Sequence, residues 1–258
     1  PTHPELLDWL ARDFINSGWN MHHLLKKMVL SHTYRQESKI LKSALEEDPE
    51  NLLLSRAPAY RLPAEMIRDG LLAHSGLLHK KTGGPGAKPY DLKVSFKPIN
   101  PDGAPNVYRR SVYTFWKRTA PTPVMMAMDA SKRDVCTVRR ERTESPSQSL
   151  IMLNGTQFVE AARATADALV QTHGTNNPTP LIEDAFRTLT SRKPTDLESE
   201  ILHQLLEEQK AHFQDQKQAE KFLKVGYYKS QSKDLSYLAA VTNLVSTLMN
   251  FDGTISKR

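Results

Sequence analysis

Phe158-Val159-Glu160-Ala161-Ala162-Arg163-Ala164-Thr165-Ala166-Asp167-Ala168-Leu169-Val170 is the stretch that decides the fold. Alanine, the strongest helix former, recurs through it, and its apolar residues return at helical rather than alternating spacing. It reads as an amphipathic helix. Asn154-Gly155 breaks the chain before it, and Gly174 to Pro180 supplies a turn after it.

The same logic extends outward. Downstream, Leu181, Ile182, Ala185, Phe186 and Leu189 form a helical stripe that Pro194 stops, and Thr195-Asp196 caps a polar helix carrying Ile201, Leu202, Leu205 and Leu206. Leu235 to Met249 is a last apolar helix. The charged stretch between, Glu208 to Lys233, is expected to be solvated or loosely ordered. Upstream, Ser145-Pro146 signals a helix start ahead of Leu150 to Leu153. Near the beginning, Thr2 is read as an N-cap, with Leu6, Leu10 and Phe14 on one face and Gly18 as the stop; Asn20 caps a second helix bearing Leu24, Leu25, Met28 and Val29. Trp9, Phe14 and Trp19 are expected in the core. Ser38 to Leu45 reads as a short helix, Asp48 to Tyr60 as a linker, and Leu62 to Leu77 as a helix with Met66, Ile67, Gly70, Leu71 and His74 inward. Pro123 to Met128 reads as a further short helix.

Two regions depart from this pattern. Residues 82–105 are rich in glycine and proline, which predicts a long loop, a lid or a linker. Val107 to Lys117 is β-branched and aromatic and predicts a strand; Val135 to Val138 is a second candidate strand that could pair with it. The expected architecture is mainly α, a helical domain with a small central β element and a long Gly/Pro-rich loop. Its parts would be 1–81, 82–144 and 145–258, together one structural domain. Because the chain starts at Pro1 directly before a helix signal, it reads as a fragment of a longer protein.

Charge singles out the middle of the chain. Between Arg109 and Arg142 stand nine Lys/Arg against three acids, a net of +6 that equals the formal charge of all 258 residues. Crowded guanidinium groups repel, so they must meet an anion or be neutralised inside the fold. The candidate ligand-binding residues are Arg109, Arg110, Tyr113, Trp116, Arg118, Asp129, Arg133, Arg139 and Arg140. Planar guanidinium groups bind oxyanions in bidentate fashion, and Tyr113 and Trp116 could stack on sugar rings or bases. The alternative is internal pairing with Asp129, Asp134, Glu141, Glu144 and Glu160, with Asp129 and Arg133 at the i, i+4 spacing of a helical ion pair.

Other chemistry is less legible. The single cysteine, Cys136, allows no intrachain disulfide and no Cys-x-x-Cys-His haem site. It is expected as a small buried hydrophobe, with a thiol activated by nearby arginines as the alternative. No histidine pair has metal-ligand spacing; there is no Gly-x-Ser-x-Gly elbow and no phosphate loop. No apolar run is long enough to span a bilayer. A nucleic-acid partner is unexpected, since no broad basic face or known module is visible.

Several blocks together carry a resemblance: Pro1 to Ala11, Ser31-His32-Thr33-Tyr34-Arg35-Gln36, Tyr108 to Arg118, Met128-Asp129-Ala130, Val135 to Arg140, Pro146 to Asn154 and Phe158 to Ala162. In this order they resemble the C-terminal domain of unknown function of large planctomycete proteins, the domain that follows cytochrome-c-like domains. Ser147, Ser149 and the polar tail after Glu208 depart from the pattern. The resemblance implies an exported, periplasmic setting, haem confined to upstream domains and no cofactor in this chain. It implies no catalytic residue. The resulting expectation is an accessory or binding domain, with an anionic ligand such as an acidic polysaccharide at the arginine-aromatic cluster. A hydrolase-like acid-base site near Asp129 and a docking module for electron-transfer partners, the upstream cytochrome domains among them, are the alternatives.

Overall fold

The computed structural model describes residues 1–89, 100–118, 121–133 and 135–257. Twelve α-helices lie among them, and the one sheet is a two-stranded ladder of Tyr60–Arg61 and Ser256–Lys257. The mainly α expectation holds. The chain forms two compact units, one of residues 1–60 with Lys257 and one of residues 61–256.

The first unit contains α1 (Pro4–Asn16), α2 (Met21–Leu30) and α3 (Lys42–Glu47). Asn20 caps α2 as its sequence predicts, accepting the His23 N–H at 3.1 Å. Asp13 on α1 accepts bonds from Lys27 Nζ and, at 3.2 Å, His23 Nε2 on α2, which ties the two helices. Asp48 shapes the following loop by accepting the N–H groups of Leu52 and Leu53, each at 2.8 Å. The core expected around the aromatics is not formed: α1, α2 and α3 bury no residue, and Trp9 and Trp19 are 53% and 66% exposed. Helical periodicity placed these side chains on one face, but nothing in this unit covers that face.

The second unit holds the core. It comprises α4 (Ala64–His74), α5 (Pro123–Ala127), α6 (Pro146–Asn154), α7 (Thr156–His173), α8 (Pro178–Thr190), α9 (Asp196–His212), α10 (Gln216–Leu223), α11 (Leu235–Met249) and α12 (Asp252–Ile255). The alanine-rich helix α7 and the apolar helix α11 pack together at its centre; Ala162 and Ala166 on one, and Leu238, Ala239, Ala240, Val241, Leu244 and Val245 on the other, are fully buried. Small side chains let the two backbones approach, while each buried Leu or Val contributes roughly 1.5–3 kcal/mol. α8, α9 and α10 complete the shell around α11. The α9 start is a reciprocal cap: Thr195 Oγ1 accepts the Glu198 N–H, and Glu198 accepts the Thr195 N–H at 2.8 Å. α7 ends at Gly174, whose φ of 72° with ψ of −162° is open only to glycine. On α4, Ile67 and Leu71 are buried as expected, whereas Met66 and His74 are exposed.

Three expectations are corrected here. Val107 to Lys117 is not a strand: Asn106–Tyr108 and Ser111–Tyr113 are 3-10 turns, joined to the neighbouring chain through isolated bridges of His79 with Arg109 and Ala87 with Thr114. Val135 to Val138 forms no strand either; it lies in an irregular surface stretch where Val135, Val138 and Cys136 are all exposed, so the cysteine is not a core residue. The Glu208 to Lys233 stretch is packed rather than loose. It contains α10, with Ala219 and Leu223 buried and Phe213 stacked on Phe222. Of the Gly/Pro-rich loop, residues 90–99 lie outside the described residues.

Candidate functional site

Two buried arginines explain why the central segment turns instead of extending. Arg68 on α4 is 2% exposed and donates to Gln157 Oε1 at 2.8 Å and to the carbonyls of Val107 at 2.8 Å and Arg109 at 2.9 Å. Its neighbour Asp69 accepts the Ser111 N–H at 2.8 Å and the Ser111 hydroxyl at 2.6 Å. The backbone groups that a ladder would have paired are satisfied by charged side chains of α4 instead, so no strand partner is required. Arg109 is 4% exposed; its guanidinium donates to the carbonyls of Pro85 at 2.8 Å and Gly83 at 2.6 Å and lies 4.0 Å from the centre of the Tyr113 ring. The Tyr113 hydroxyl accepts the Gly83 N–H at 3.0 Å. Arg109 and Tyr113 therefore hold the glycine-proline loop, through both Nη atoms of Arg109 and the Tyr113 hydroxyl.

The remaining candidates separate into two places. Arg133 stacks 4.9 Å from the centre of the Trp116 ring and reaches the carbonyls of Ser111 and Thr114 at 3.4 Å. Arg110 and Arg118 are exposed. Asp129 and Arg133 do not form the helical pair their spacing allowed, because both sit outside helices at positive φ, 62° and 61°. Asp134, one of the acids considered as an internal partner, lies outside the described residues.

Asp129 and Arg140 belong to a different arrangement, near Arg61 and Glu141, and Arg139 beside them is exposed. Asp129 Oδ2 accepts the Thr143 N–H and the Thr143 hydroxyl, each at 2.7 Å, and the Gln148 amide at 3.1 Å. Burial acts to raise this carboxyl, but the Thr143 and Gln148 donors and the charge of Arg61 outweigh it and hold it below the usual carboxylate value. Gln148, on α6 and 1% exposed, accepts Arg61 Nη1 at 2.5 Å; the same nitrogen of Arg61 donates to the Thr143 carbonyl at 3.1 Å. Burial lowers the Arg61 guanidinium from its ordinary value, and the charges of Glu144 and Asp129 oppose that shift. Arg140, half exposed, binds both oxygens of Glu65 on α4 at 3.1 and 3.0 Å. Arg139, Arg140, Glu141, Arg142 and Thr143 together line a surface cavity of about 610 Å³. Asp129 is occupied by three donors, an arrangement suited to holding a loop.

Sequence reasoning did not find Arg61, Glu65, Thr143 or Gln148. Glu65 and Gln148 are ordinary helix residues, Thr143 is uncharged, and nothing local marks their convergence. Ser145-Pro146 gave the only nearby signal, and it located the start of α6 rather than the network in front of it.

A second cavity of about 600 Å³ opens at the start of α7, with Pro89, Pro123, Phe158 and Glu160 in its wall. Glu160 is 2% exposed and already committed: it accepts the Tyr108 hydroxyl and the Tyr228 N–H, each at 2.6 Å, and the Tyr227 N–H. One turn on, Arg163 donates to the carbonyls of Leu223 and Tyr228. Asp167 accepts the Tyr228 hydroxyl at 2.8 Å, the Gln231 N–H at 2.8 Å and the Ser232 N–H and hydroxyl at 2.9 and 2.5 Å. Burial and the bond to Asp167 push the Tyr228 hydroxyl up to about 12. These three charged residues on one face of α7 grip the segment after α10. Gly226 passes so close to Glu160 that a Cβ there would stand 2.1 Å from its carboxyl carbon.

Among the described residues no group of His, Cys, Asp and Glu could hold a metal ion, and no helix is long and apolar enough to cross a membrane. No curated protein and no solved structure matches the chain. A family pattern described as PSD1, a protein of unknown function (DUF1553), matches residues 1–206. That match takes in the central turns, the arginine-lined cavity and α7, and by it the chain belongs to the DUF1553 family.

Proposed function

We propose that this is a binding domain whose ligand is anionic, such as the sulfate or carboxylate groups of an acidic polysaccharide, and that the contact is made by the stretch from Arg139 to Arg142. One observation carries the reading: three arginines of this stretch line a cavity of about 610 Å³ at the surface, while Arg109, in the same basic segment, is turned into the protein. Of these, Arg140 is held by Glu65 while Arg139 is exposed and enters no ion pair among the described residues, and an exposed guanidinium at a concavity favours counter-anions at moderate salt. In this reading the domain works in an exported protein, beside cytochrome-c-like domains that carry any haem; that setting rests on the sequence resemblance alone.

The test is retention on dextran sulfate against neutral dextran. The unaltered chain is expected to bind the sulfated polymer alone, and Arg139→Ala to weaken binding by roughly tenfold, the scale of one charge-assisted contact. Equal affinity of the two proteins would remove the basis of the reading.

A further inference from the structure

The arginine-lined cavity is fixed from behind at two points. Arg140 is held by both oxygens of Glu65. Thr143 is held on three sides: its N–H and hydroxyl by Asp129, its carbonyl by Arg61. Gln148 closes the circuit, since its amide donates to Asp129 and to the Thr143 hydroxyl at 3.0 Å while its carbonyl oxygen accepts Arg61. Between and beside these anchors stand Arg139, Glu141 and Arg142, in a stretch with no helix or strand of its own. The backbone that carries the arginines thus takes its shape from side chains, not from a regular element.

We infer that Asp129 is the positioning residue of the anion site: by clamping Thr143 it sets the spacing of the arginines around the cavity, and so sets affinity without touching the ligand. The inference deepens the binding reading and rests on it. Preorganised donors bind more tightly than mobile ones because less ordering accompanies binding. Asp129 suits the task because its short carboxylate, on a left-handed backbone of φ 62°, reaches Thr143 fourteen residues further on at 2.7 Å.

The experiment compares five proteins on dextran sulfate over a series of salt concentrations: the unaltered chain, Arg139→Ala, Asp129→Asn, Thr143→Val and Thr143→Ser. Asparagine tolerates the backbone at 129 but removes the negative charge that strengthens all three bonds to Oδ2. Valine removes the Thr143 hydroxyl at constant shape, and serine keeps it. Asp129→Asn and Thr143→Val are each expected to lower affinity about tenfold and to flatten its dependence on salt, because fewer arginines engage the polymer at once. Thr143→Ser should bind as the unaltered chain does. A merely structural role would lower thermal stability without changing the salt dependence of the folded fraction. Should Asp129→Asn fail to fold, the valine and serine variants decide. If Arg139→Ala weakens binding while Asp129→Asn and Thr143→Val bind with unchanged affinity and salt dependence, the positioning role is overturned and the binding reading stands. If Arg139→Ala changes nothing, both fall.

Discussion

Arg109 and Arg139 belong to one basic stretch of sequence and meet opposite surroundings. Arg109 is 4% exposed and bonded to carbonyl oxygens of the glycine-proline loop; Arg139 is exposed on the wall of a cavity. The difference lies in what faces each residue. Around Arg109 the chain offers unpaired carbonyls and an aromatic ring, which neutralise and desolvate a guanidinium together. Around Arg139 stand Arg140, Glu141 and Arg142, and Arg139 itself is exposed. Density of charge along the sequence therefore does not say which guanidinium reaches solvent; the supply of acceptors around each group does.

This contrast can be attacked by substitution. Arg68→Ala should be the most damaging change, at about 3–5 kcal/mol, since it leaves the carbonyls of Val107 and Arg109 and the Gln157 amide oxygen without their buried donor. A urea titration followed by circular dichroism measures it, and a loss under 1 kcal/mol would show that water replaces the guanidinium. Arg109→Ala should cost about 2 kcal/mol and expose the loop at Lys81 to Pro85 to proteolysis, whereas Arg139→Ala should stay within about 0.5 kcal/mol of the parent. Equal melting temperatures for the two variants would erase the distinction between inward and outward arginines.

Asp167 adds a dependence on pH. Burial works to raise its carboxyl, but the Ser232 hydroxyl, the Gln231 N–H and the Tyr228 hydroxyl outweigh that and lower it. Because the native value lies below the unfolded one, near 3.9, the stabilisation is present in full above about pH 4. It is lost as pH falls through the lowered native value. Asp167→Asn should lower stability at neutral pH by about 2 kcal/mol and make the melting temperature less steep in acid. A variant with the parent's slope below pH 4 would assign the acid sensitivity elsewhere.

Much of the helical frame could be read from residues alone. Leu235 to Met249 is a helix over that same range, and Thr195 and Asn20 are caps, because apolar periodicity and capping chemistry are local properties. The misreadings share a cause. Val107 to Lys117 has strand composition, but Arg68 and Asp69, far away in sequence, supply its backbone partners. Residues 208–233 look solvated until Glu160, Arg163 and Asp167 are placed behind them. Of the candidate site, Asp129, Arg139 and Arg140 were identified from charge and resemblance, while Arg61, Thr143 and Gln148 were invisible, because an uncharged side chain or a lone charge carries no record of what it will meet.

The grip of α7 on the residues after α10 has a consequence for where this domain can be cut. The family pattern stops at residue 206, yet apart from the Tyr108 hydroxyl the partners of Glu160, Arg163 and Asp167 lie between Leu223 and Ser232, and the helix packed against α7 follows at Leu235. A polypeptide truncated at the edge of the match would expose a row of charges and an alanine-lined apolar face at once. A piece that keeps these bonds and the packing of α7 on α11 runs past that edge and includes α11.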